Sequence, residues 1–184
     1  MANYLYVDYS NIWIEAMHLG AVKSGMAPNL NAAINHKICD YSYKLDFGRL
    51  ILFAGGEKKD IGRAVLFGSR PPPNDTIWEL ARKRGFEVVV YDRNAWNKEK
   101  KIDTDIATEI AFDSVEKMKP GKDEVTLVAG DADFVPIVEK LKKRGFTFDV
   151  VFWGHAAAEL KKAASKFVNL NSFLDHLRHT PSTV

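Results

Sequence analysis

The sequence predicts a three-layer α/β/α sandwich with a mostly parallel central sheet. Strand-like and helix-like segments alternate along the chain, which is the pattern of an α/β fold. The central strand-like segments, such as residues 63–68 and 125–129, are apolar throughout, as in a sheet covered on both faces. A length of 184 residues fits one domain, which we predict over residues 1–179 with a flexible tail at residues 180–184.

The strands are predicted from short runs of aromatic and aliphatic residues bounded by Gly, Pro or polar residues. The first run, Tyr4-Leu5-Tyr6-Val7-Asp8, opens the chain. Six strands are predicted in total, at residues 4–8, 63–68, 86–91, 125–129, 146–153 and 167–170.

The helices are predicted from apolar spacing and from residues that begin or end helices. For residues 46–56 a strand is the alternative, but apolar residues at i, i+3, i+4 and i+7 favour a helix that Asp46 caps and Gly55 ends. Gly20 is expected to end the first helix, and Ser172 to cap the last. The full set lies at residues 11–19, 31–45, 46–56, 75–83, 102–118, 134–143, 156–164 and 172–179.

The composition excludes several classes of protein. With 46% hydrophobic and 27% charged residues, the chain is neither disordered nor collagen-like. Its longest apolar runs are too short to span a bilayer, and no cationic segment precedes an apolar core at the start. One cysteine, Cys39, excludes an intramolecular disulfide and a Cys-clustered zinc site. We therefore expect a cytoplasmic protein without membrane contact.

The positions of the charged residues along the chain are more informative than the net charge. The 26 Lys and Arg residues against 24 Asp and Glu give a formal net charge of only +2, too small to indicate nucleic-acid binding. Basic residues crowd into residues 82–84, 93–101 and 140–144, whereas several acids lie beside apolar strands. This pattern suggests a cation site with an anionic substrate, and solvated helix faces are the alternative for the lysines.

Three acids are expected to meet at one edge of the sheet. Asp8 ends the first strand and Asp131 follows the fourth, and ligands of parallel sheets bind beyond the carboxyl ends of the strands. Asp103 begins a helix and shares the sheet-facing side of that helix with Ile106 and Ile110. Three adjacent carboxylates need a compensating charge, which Mg²⁺ or Mn²⁺ supplies. Such an ion lowers the pKa of a bound water and stabilises charge on a phosphodiester.

Other roles for these residues stay open. Asp8 can be a strand-ending turn residue, and Asp133 can cap the helix that starts at Phe134, a role compatible with metal binding. Ser10 and Asn11 lie at a helix start, where they can cap the helix or hold a phosphate or metal-bound water. Asp105 and Glu109 lie on another stripe of their helix, which favours a solvated face for Asp105 and leaves the role of Glu109 open.

Three motifs resemble a known family in their order along the chain. They are residues 8–11 (DYSN), 100–103 (KKID) and 130–134 (GDADF), and they resemble the NYN domain, also called LabA-like, of the PIN-like nuclease superfamily, a Rossmann-like fold. The family pattern is an acid-x-Ser/Gly-Asn turn, a Lys-x-x-Asp helix start and a Gly-Asp-Ser-Asp-Phe turn. Residues 63–69 are also similar to a family strand, and the resemblance spans about residues 3–177.

The resemblance implies a set of functional residues. Asp8, Asp103 and Asp131 match the acidic metal positions of the family, Asp133 matches a fourth, and Asn11 matches the turn asparagine. Residue 132 is Ala where the family usually has Ser, a change that removes a hydroxyl but no carboxylate. The family includes ribonucleases and also members without an established activity, so membership alone does not establish cleavage.

The substrate contacts are predicted mainly from the basic segment that leads into Asp103. Arg93, Lys100 and Lys101 can hold phosphates and Trp96 can stack on an unpaired base, although a surface loop anchored by Trp96 is the alternative. Arg70 follows a strand end and is a second phosphate candidate. Three other residues are weaker candidates: His155 for proton transfer, and Tyr9 and Trp13, which packing explains better.

The predicted function is a metal-dependent endoribonuclease for single-stranded or flexible RNA. One alternative is an RNA-binding or regulatory module that cuts slowly or not at all, and another is a metal-dependent phosphatase of small phosphate esters. No Gly-rich phosphate motif precedes a helix, which argues against a nicotinamide enzyme, and no serine nucleophile elbow occurs. No small-molecule organic cofactor is expected. The RNA, the choice between Mg²⁺ and Mn²⁺, and the assembly state, including a homo-oligomer, are left open.

Overall fold

The central element is a six-stranded sheet in which every strand pair is parallel. The structure is a computed structural model that describes residues 1–69, 76–91 and 98–180, with the backbone alone for residues 98–100. The spatial order is β3-β2-β1-β4-β5-β6. The strands are β1 (Asn3–Asp8), β2 (Ile61–Ser69), β3 (Glu87–Tyr91), β4 (Glu124–Val128), β5 (Thr147–Phe152) and β6 (Lys166–Asn169). The predicted parallel sheet is confirmed.

Helices connect the strands and cover both faces of the sheet. The described residues form α1 (Tyr9–Lys23), α2 (Leu30–Asn35), α3 (Phe47–Gly55), α4 (Thr76–Lys83), α5 (Lys98–Glu116), α6 (Val135–Lys143), α7 (Ala158–Ala163) and α8 (Leu174–Leu177). Two 3₁₀ turns, Ala132–Phe134 and Asn171–Phe173, precede α6 and α8. Within the described ranges, no helix has an apolar stretch of membrane-spanning length.

Two hydrophobic cores make the three layers. Alternate residues of β1 point to opposite faces, so Leu5 and Val7 enter one core while Tyr4 and Tyr6 enter the other. Helices α1, α3, α4 and α8 pack on the first face, and α5, α6 and α7 pack on the second. The predicted α/β/α sandwich is confirmed, and its most buried strands are those that carry the site.

Helix α1 differs at both ends from its predicted bounds. It begins at Tyr9 because the carboxylate of Asp8 caps it, accepting a hydrogen bond from the backbone N–H of Asn11 at 3.1 Å. It continues past Gly20 to Lys23, so the predicted end at Gly20 is wrong. Gly20 is buried against Asp40, whose side chain would lie 3.1 Å from an added Cβ. This glycine allows close packing and does not end the helix.

The segment after α1 is less helical than predicted. The helix expected at residues 31–45 is shorter in the structure and spans Leu30–Asn35. Asp40 instead makes a local turn, accepting hydrogen bonds from the backbone N–H and the hydroxyl of Ser42, which competes with helix formation. Helix α3 is confirmed, with Asp46 capping it through Arg49 N, although Gly56 rather than Gly55 is its C-cap.

The C-terminal helix is also shorter than predicted. Helix α8 spans only Leu174–Leu177, and Ser172 does not cap it. The chain turns away because Arg178 bridges to Leu45 and the backbone N–H of His179 donates to Lys44 at 2.7 Å. Asp75, predicted to cap α4, and residues 181–184 of the predicted tail lie outside the described residues.

Candidate metal centre

The centre of the sheet forms a crevice between β1 and β4. These strands are parallel neighbours, with Val7 opposite Val128. Helix α1 leaves β1 toward one face and α6 follows β4 on the other, which is where ligands bind in open α/β sheets. Asp8 ends β1 and Asp131 lies three residues beyond β4, so both acids stand at this crevice.

Helix α5 brings the third acid to the same point. Ile102, Ile106 and Ile110 of α5 are buried against the sheet, and Asp103 lies beside this buried stripe. One carboxylate oxygen from each of Asp8, Asp103 and Asp131 lies within 4.8 Å of the other two. The expected convergence of the three acids is confirmed, whereas their catalytic role stays a prediction.

The donor set suits a hard divalent cation. Ions such as Mg²⁺, Mn²⁺ and Ca²⁺ bind carboxylate oxygens at about 2.0–2.6 Å and complete their shells with water. Three carboxylate oxygens spaced within 4.8 Å can therefore share one ion. No sulfur or imidazole ligand takes part among the described residues, which favours an oxygen-binding ion over zinc.

The acids line an open cleft of about 400 Å³. Asp8 is only 6% exposed and lies at the floor, Asp103 is partly buried, and Asp131 is exposed at the mouth. Ser10 and Ala132 also line the cleft. The site is therefore deep enough to exclude some water from Asp8 and open enough to admit a polymer.

Asn11 connects the end of β1, which carries Asp8, to the turn that carries Asp131. Its side-chain amide donates to Asp131 Oδ2 at 3.2 Å, and its Oδ1 accepts from the backbone N–H of Gly130 at 3.1 Å. Its own backbone N–H binds Asp8 Oδ1. Both ends of the side chain are thus engaged within the protein. The geometry favours a positioning role for Asn11 over the predicted phosphate contact.

Gly130 permits the tight approach that places Asp131. A Cβ at this position would lie 2.3 Å from the ring of Phe152, a separation that side-chain carbons do not reach. Since Phe152 is itself buried in the core, the ring cannot simply move aside. The glycine of the residue 130–134 motif is therefore required by packing.

Asp133 lies in the cleft but not in the carboxylate cluster. It is exposed, and the three acids within 4.8 Å of one another do not include it. Its predicted capping role is wrong, since α6 begins after Phe134 without a side-chain cap. Its predicted part in the metal shell remains a prediction.

Glu15 is a cleft residue that sequence reasoning missed. It lies on α1 with its Oε2 2.6 Å from His155 Nε2 and 3.4 Å from His18 Nδ1. Burial would raise the pKa of Glu15, but hydrogen bonds and charge from the two histidines outweigh it, so the pKa lies below its ordinary value. The available signal was helical spacing, because Glu15 follows Asn11 by four residues and shares its face.

The predicted substrate contacts are only partly described. Arg70, Arg93 and Trp96 lie outside the described residues, and Lys100 is described by its backbone alone, within α5. The ammonium of Lys101 lies 5.3 Å from the ring centroid of Tyr91, and Lys101 does not line the cleft. Tyr9 packs in the core against Trp13, as expected.

The acids on the other stripe of α5 have structural partners. Glu109, whose role the sequence left open, has its Oε1 2.5 Å from Arg63 Nη1. Asp113, which the sequence reasoning did not single out, is buried and binds Arg63 at 2.6 Å and the hydroxyl of Tyr6 at 2.6 Å. Asp105 hydrogen-bonds to Tyr91, which together with burial raises the pKa of that phenol.

The fold and the cleft together define an α/β protein with a carboxylate cluster at its sheet edge. The sequence profile of the NYN domain matches residues 27–171, and the chain belongs to this family. Asp103 and Asp131 fall inside the matched segment, and Asp8 precedes it.

One solved structure extends the comparison at the level of the fold. It is a protein of unknown function from Vibrio parahaemolyticus, similar with a TM-score of 0.65 and 19% identity over 92% of each chain. A search of curated proteins finds no match. At this identity the likeness supports the architecture and carries no information on activity.

Proposed function

We propose that this protein is a divalent-metal-dependent endoribonuclease that hydrolyses single-stranded or flexible RNA. The observation that carries the proposal is the cluster of Asp8, Asp103 and Asp131 carboxylates within 4.8 Å, at the crevice of an NYN-family fold. Mg²⁺ or Mn²⁺ fits these hard oxygen donors. The open cleft gives a polymeric phosphodiester access to them.

Each acid has a distinct part in holding the site. Asp8 is fixed by the backbone N–H of Asn11 and forms the buried floor. Asp131 is held by the Asn11 amide, and Asp103 is carried by the rigid helix α5. When bound, a divalent ion supplies a water of lowered pKa and positive charge for the scissile phosphate. Asp133 faces the same cleft and can orient water or substrate there.

The predicted substrate contacts complete the proposal. Ser10 lines the cleft and can donate a hydrogen bond to phosphate. The predicted phosphate contacts of Arg70, Arg93 and Lys100 and the stacking role of Trp96 remain part of the proposal.

The test is incubation of a mixed RNA pool with Mn²⁺, Mg²⁺ or a chelator. Asp8→Asn and Asp131→Asn keep the side-chain shape but remove a negative charge from the cluster, so both should abolish metal-stimulated cleavage. Asp60→Asn is the matched control, because Asp60 is an exposed loop residue outside the cleft. Circular dichroism checks that the variants are folded.

The possible outcomes separate the alternatives. Unchanged cleavage in both cluster variants rejects the metal-site assignment. RNA binding without metal-stimulated cleavage favours the regulatory module. Turnover of a small phosphate ester in place of RNA favours the phosphatase.

A further inference from the structure

A second depression adjoins the carboxylate cleft. It lies between helices α5 and α6, has a volume of about 560 Å³, and shares Asp103 and Asp133 with the cleft. From Asp103 it runs along α5 as far as Phe112, a distance of about 14 Å at the helical rise per residue. We call this depression the α5–α6 groove. It is continuous with the cleft and leads away from it across the protein surface.

The groove presents an unusual aromatic surface. Phe112 is 60% exposed although it is one of the largest apolar side chains, and Ile137 stands across the groove on α6. Lys140 lines the same groove and is exposed, so the groove presents a cation as well as an aromatic face. Proteins that bind single strands combine aromatic stacking surfaces with cations that attract the phosphates.

We propose that the α5–α6 groove binds the stretch of single-stranded RNA next to the cleaved phosphodiester, with one base stacked on Phe112 and a phosphate near Lys140. The inference rests on the proposed function and extends it to the path of the substrate. A strand whose phosphate reaches the three carboxylates must leave the cleft, and the groove shares two cleft residues with it.

The arrangement also selects the substrate class. Stacking on Phe112 requires a base with an uncovered face, which bases in single strands and loops have and bases inside a duplex lack. The groove should therefore bind single-stranded RNA in preference to a duplex of the same sequence. A second copy of this chain is the alternative occupant of the groove. RNA affinity and sedimentation measurements distinguish a second copy from RNA.

The decisive variant is Phe112→Ala, with Val115→Ala as its matched control. Val115 lies on the same helix, is 70% exposed and does not line the groove. Affinity for a labelled single-stranded oligonucleotide is measured by fluorescence anisotropy in chelator, where no metal-dependent cleavage occurs. Phe112→Ala should raise the apparent Kd roughly 5- to 100-fold, the range expected for one lost base stack. Val115→Ala should not change it.

Two further measurements define the site. Lys140→Ala should reduce the slope of log affinity against log salt by about 0.7, as for one lost phosphate contact with a single strand. In the presence of Mn²⁺, the loss of kcat/KM caused by Phe112→Ala should be greater for a long oligonucleotide than for a short one that fills only the cleft. Since Phe112 is exposed, its truncation should leave the melting temperature unchanged, which confirms folding.

The results distinguish this inference from the proposed function. Cleavage by the wild type with equal RNA affinity in Phe112→Ala would overturn the groove and leave the nuclease intact. Phe112-dependent RNA binding without cleavage would support the groove and reject catalysis. Loss of self-association in sedimentation, without loss of RNA affinity, would assign the groove to a second copy. Absence of RNA binding in chelator would overturn the groove, and absence of RNA cleavage with Mn²⁺ or Mg²⁺ as well would overturn both.

Discussion

At the scale of single residues, Asn11 shows how a site can depend on a side chain that need not touch the substrate. Its amide joins Gly130 and Asp131 to α1, while its backbone holds Asp8. Partners of this kind fix the direction of metal ligands and influence affinity nearly as much as the ligands themselves. The first turn of α1 therefore positions two of the three carboxylates.

Asn11→Ala should weaken Mn²⁺ binding by roughly 10- to 100-fold, because Asp131 loses its orienting hydrogen bond. Isothermal titration calorimetry measures the affinity. Asn31→Ala, on an exposed position of α2, is the control and should bind as the wild type does. Wild-type affinity in Asn11→Ala would show that the acids are positioned without this side chain.

Glu15 provides a prediction that depends on pH. Its pKa is lowered on folding by the hydrogen bonds with His155 and His18, which exceed the opposing effect of burial. A carboxyl with a lowered folded pKa adds stability above its unfolded pKa, and this stability is lost as the pH falls through the folded pKa. Its ionised form therefore stabilises the fold at neutral pH.

Glu15→Gln should lower the free energy of unfolding by about 2 kcal/mol at neutral pH, since hydrogen bonds to a charged group are lost. The difference in the free energy of unfolding between the wild type and Glu15→Gln should decrease at pH values below the ordinary pKa of glutamate. Urea denaturation at several pH values measures it. Glu139→Gln, on an exposed position of α6, should show no such trend. A difference that does not depend on pH would mean that the charge of Glu15 does not stabilise the fold.

At the scale of elements, α5 carries Asp103 and is fastened to the sheet at its far end. Arg63 of β2 joins Glu109 and Asp113 of α5 to Glu87 of β3, and its side chain is 13% exposed. Asp113 is 2% exposed. Burial would raise the pKa of Asp113, but the hydrogen bonds from Lys117, Tyr6 and Arg63 lower it, so the carboxyl stays ionised. The network therefore holds the helix in its position over the sheet.

Arg63→Met should destabilise the protein by about 3 kcal/mol, because removal of one partner leaves the buried charge of Asp113 less compensated. Thermal or urea denaturation measures the change. Lys59→Met removes an ion pair with Glu57 in which both side chains are more than two-thirds exposed, and it should change stability by less than about 1 kcal/mol. Equal effects of the two variants would show that the Arg63 network is not a structural anchor.

At the scale of the whole molecule, the carboxylate cluster joins three separate parts of the chain. The start of the chain, α5 and the turn after β4 each supply one carboxylate. An ion that binds only when these parts are assembled stabilises the folded state by mass action. Binding at the cluster should therefore be detectable as increased stability, without any assay of cleavage.

Mn²⁺ at about 100 times its Kd should add about 2.7 kcal/mol to the free energy of unfolding and raise the melting temperature. Chelator should reverse the shift, and Asp131→Asn should largely lose it. Scanning calorimetry with and without Mn²⁺ measures both. An equal shift in Asp131→Asn would place the bound ion elsewhere on the protein.

Much of this arrangement could be predicted from local patterns. The alternation of strands and helices and the cap at Asp46 depend on residues close together in the chain, and both are confirmed. The convergence of Asp8, Asp103 and Asp131 followed from one topological rule, that parallel strands present their carboxyl ends at the same edge. Predictions of this kind are confirmed because the backbone geometry and the burial on which they depend involve residues that are close together in the chain.

Other features depended on contacts between distant residues. Gly20 lies inside α1 with Asp40 packed against it, and Asp40 is itself held by Arg178 near the other end of the chain. The sequence around Gly20 does not show these partners. Two other differences are local: Asp40 makes a turn with Ser42, and a 3₁₀ turn comes before α6 where capping by Asp133 was predicted.

By itself, the sequence determined the fold class, the family resemblance and the three acids at the sheet edge. These follow from periodic burial and strand direction, which local residue patterns encode. Only the tertiary structure decided that Asn11 holds Asp131, that Glu15 meets His155, and that an exposed Phe112 lines a groove continuous with the cleft. The physical reason is that hydrogen bonds and surface grooves arise between segments far apart in the chain, and their partners exist only after the chain has folded.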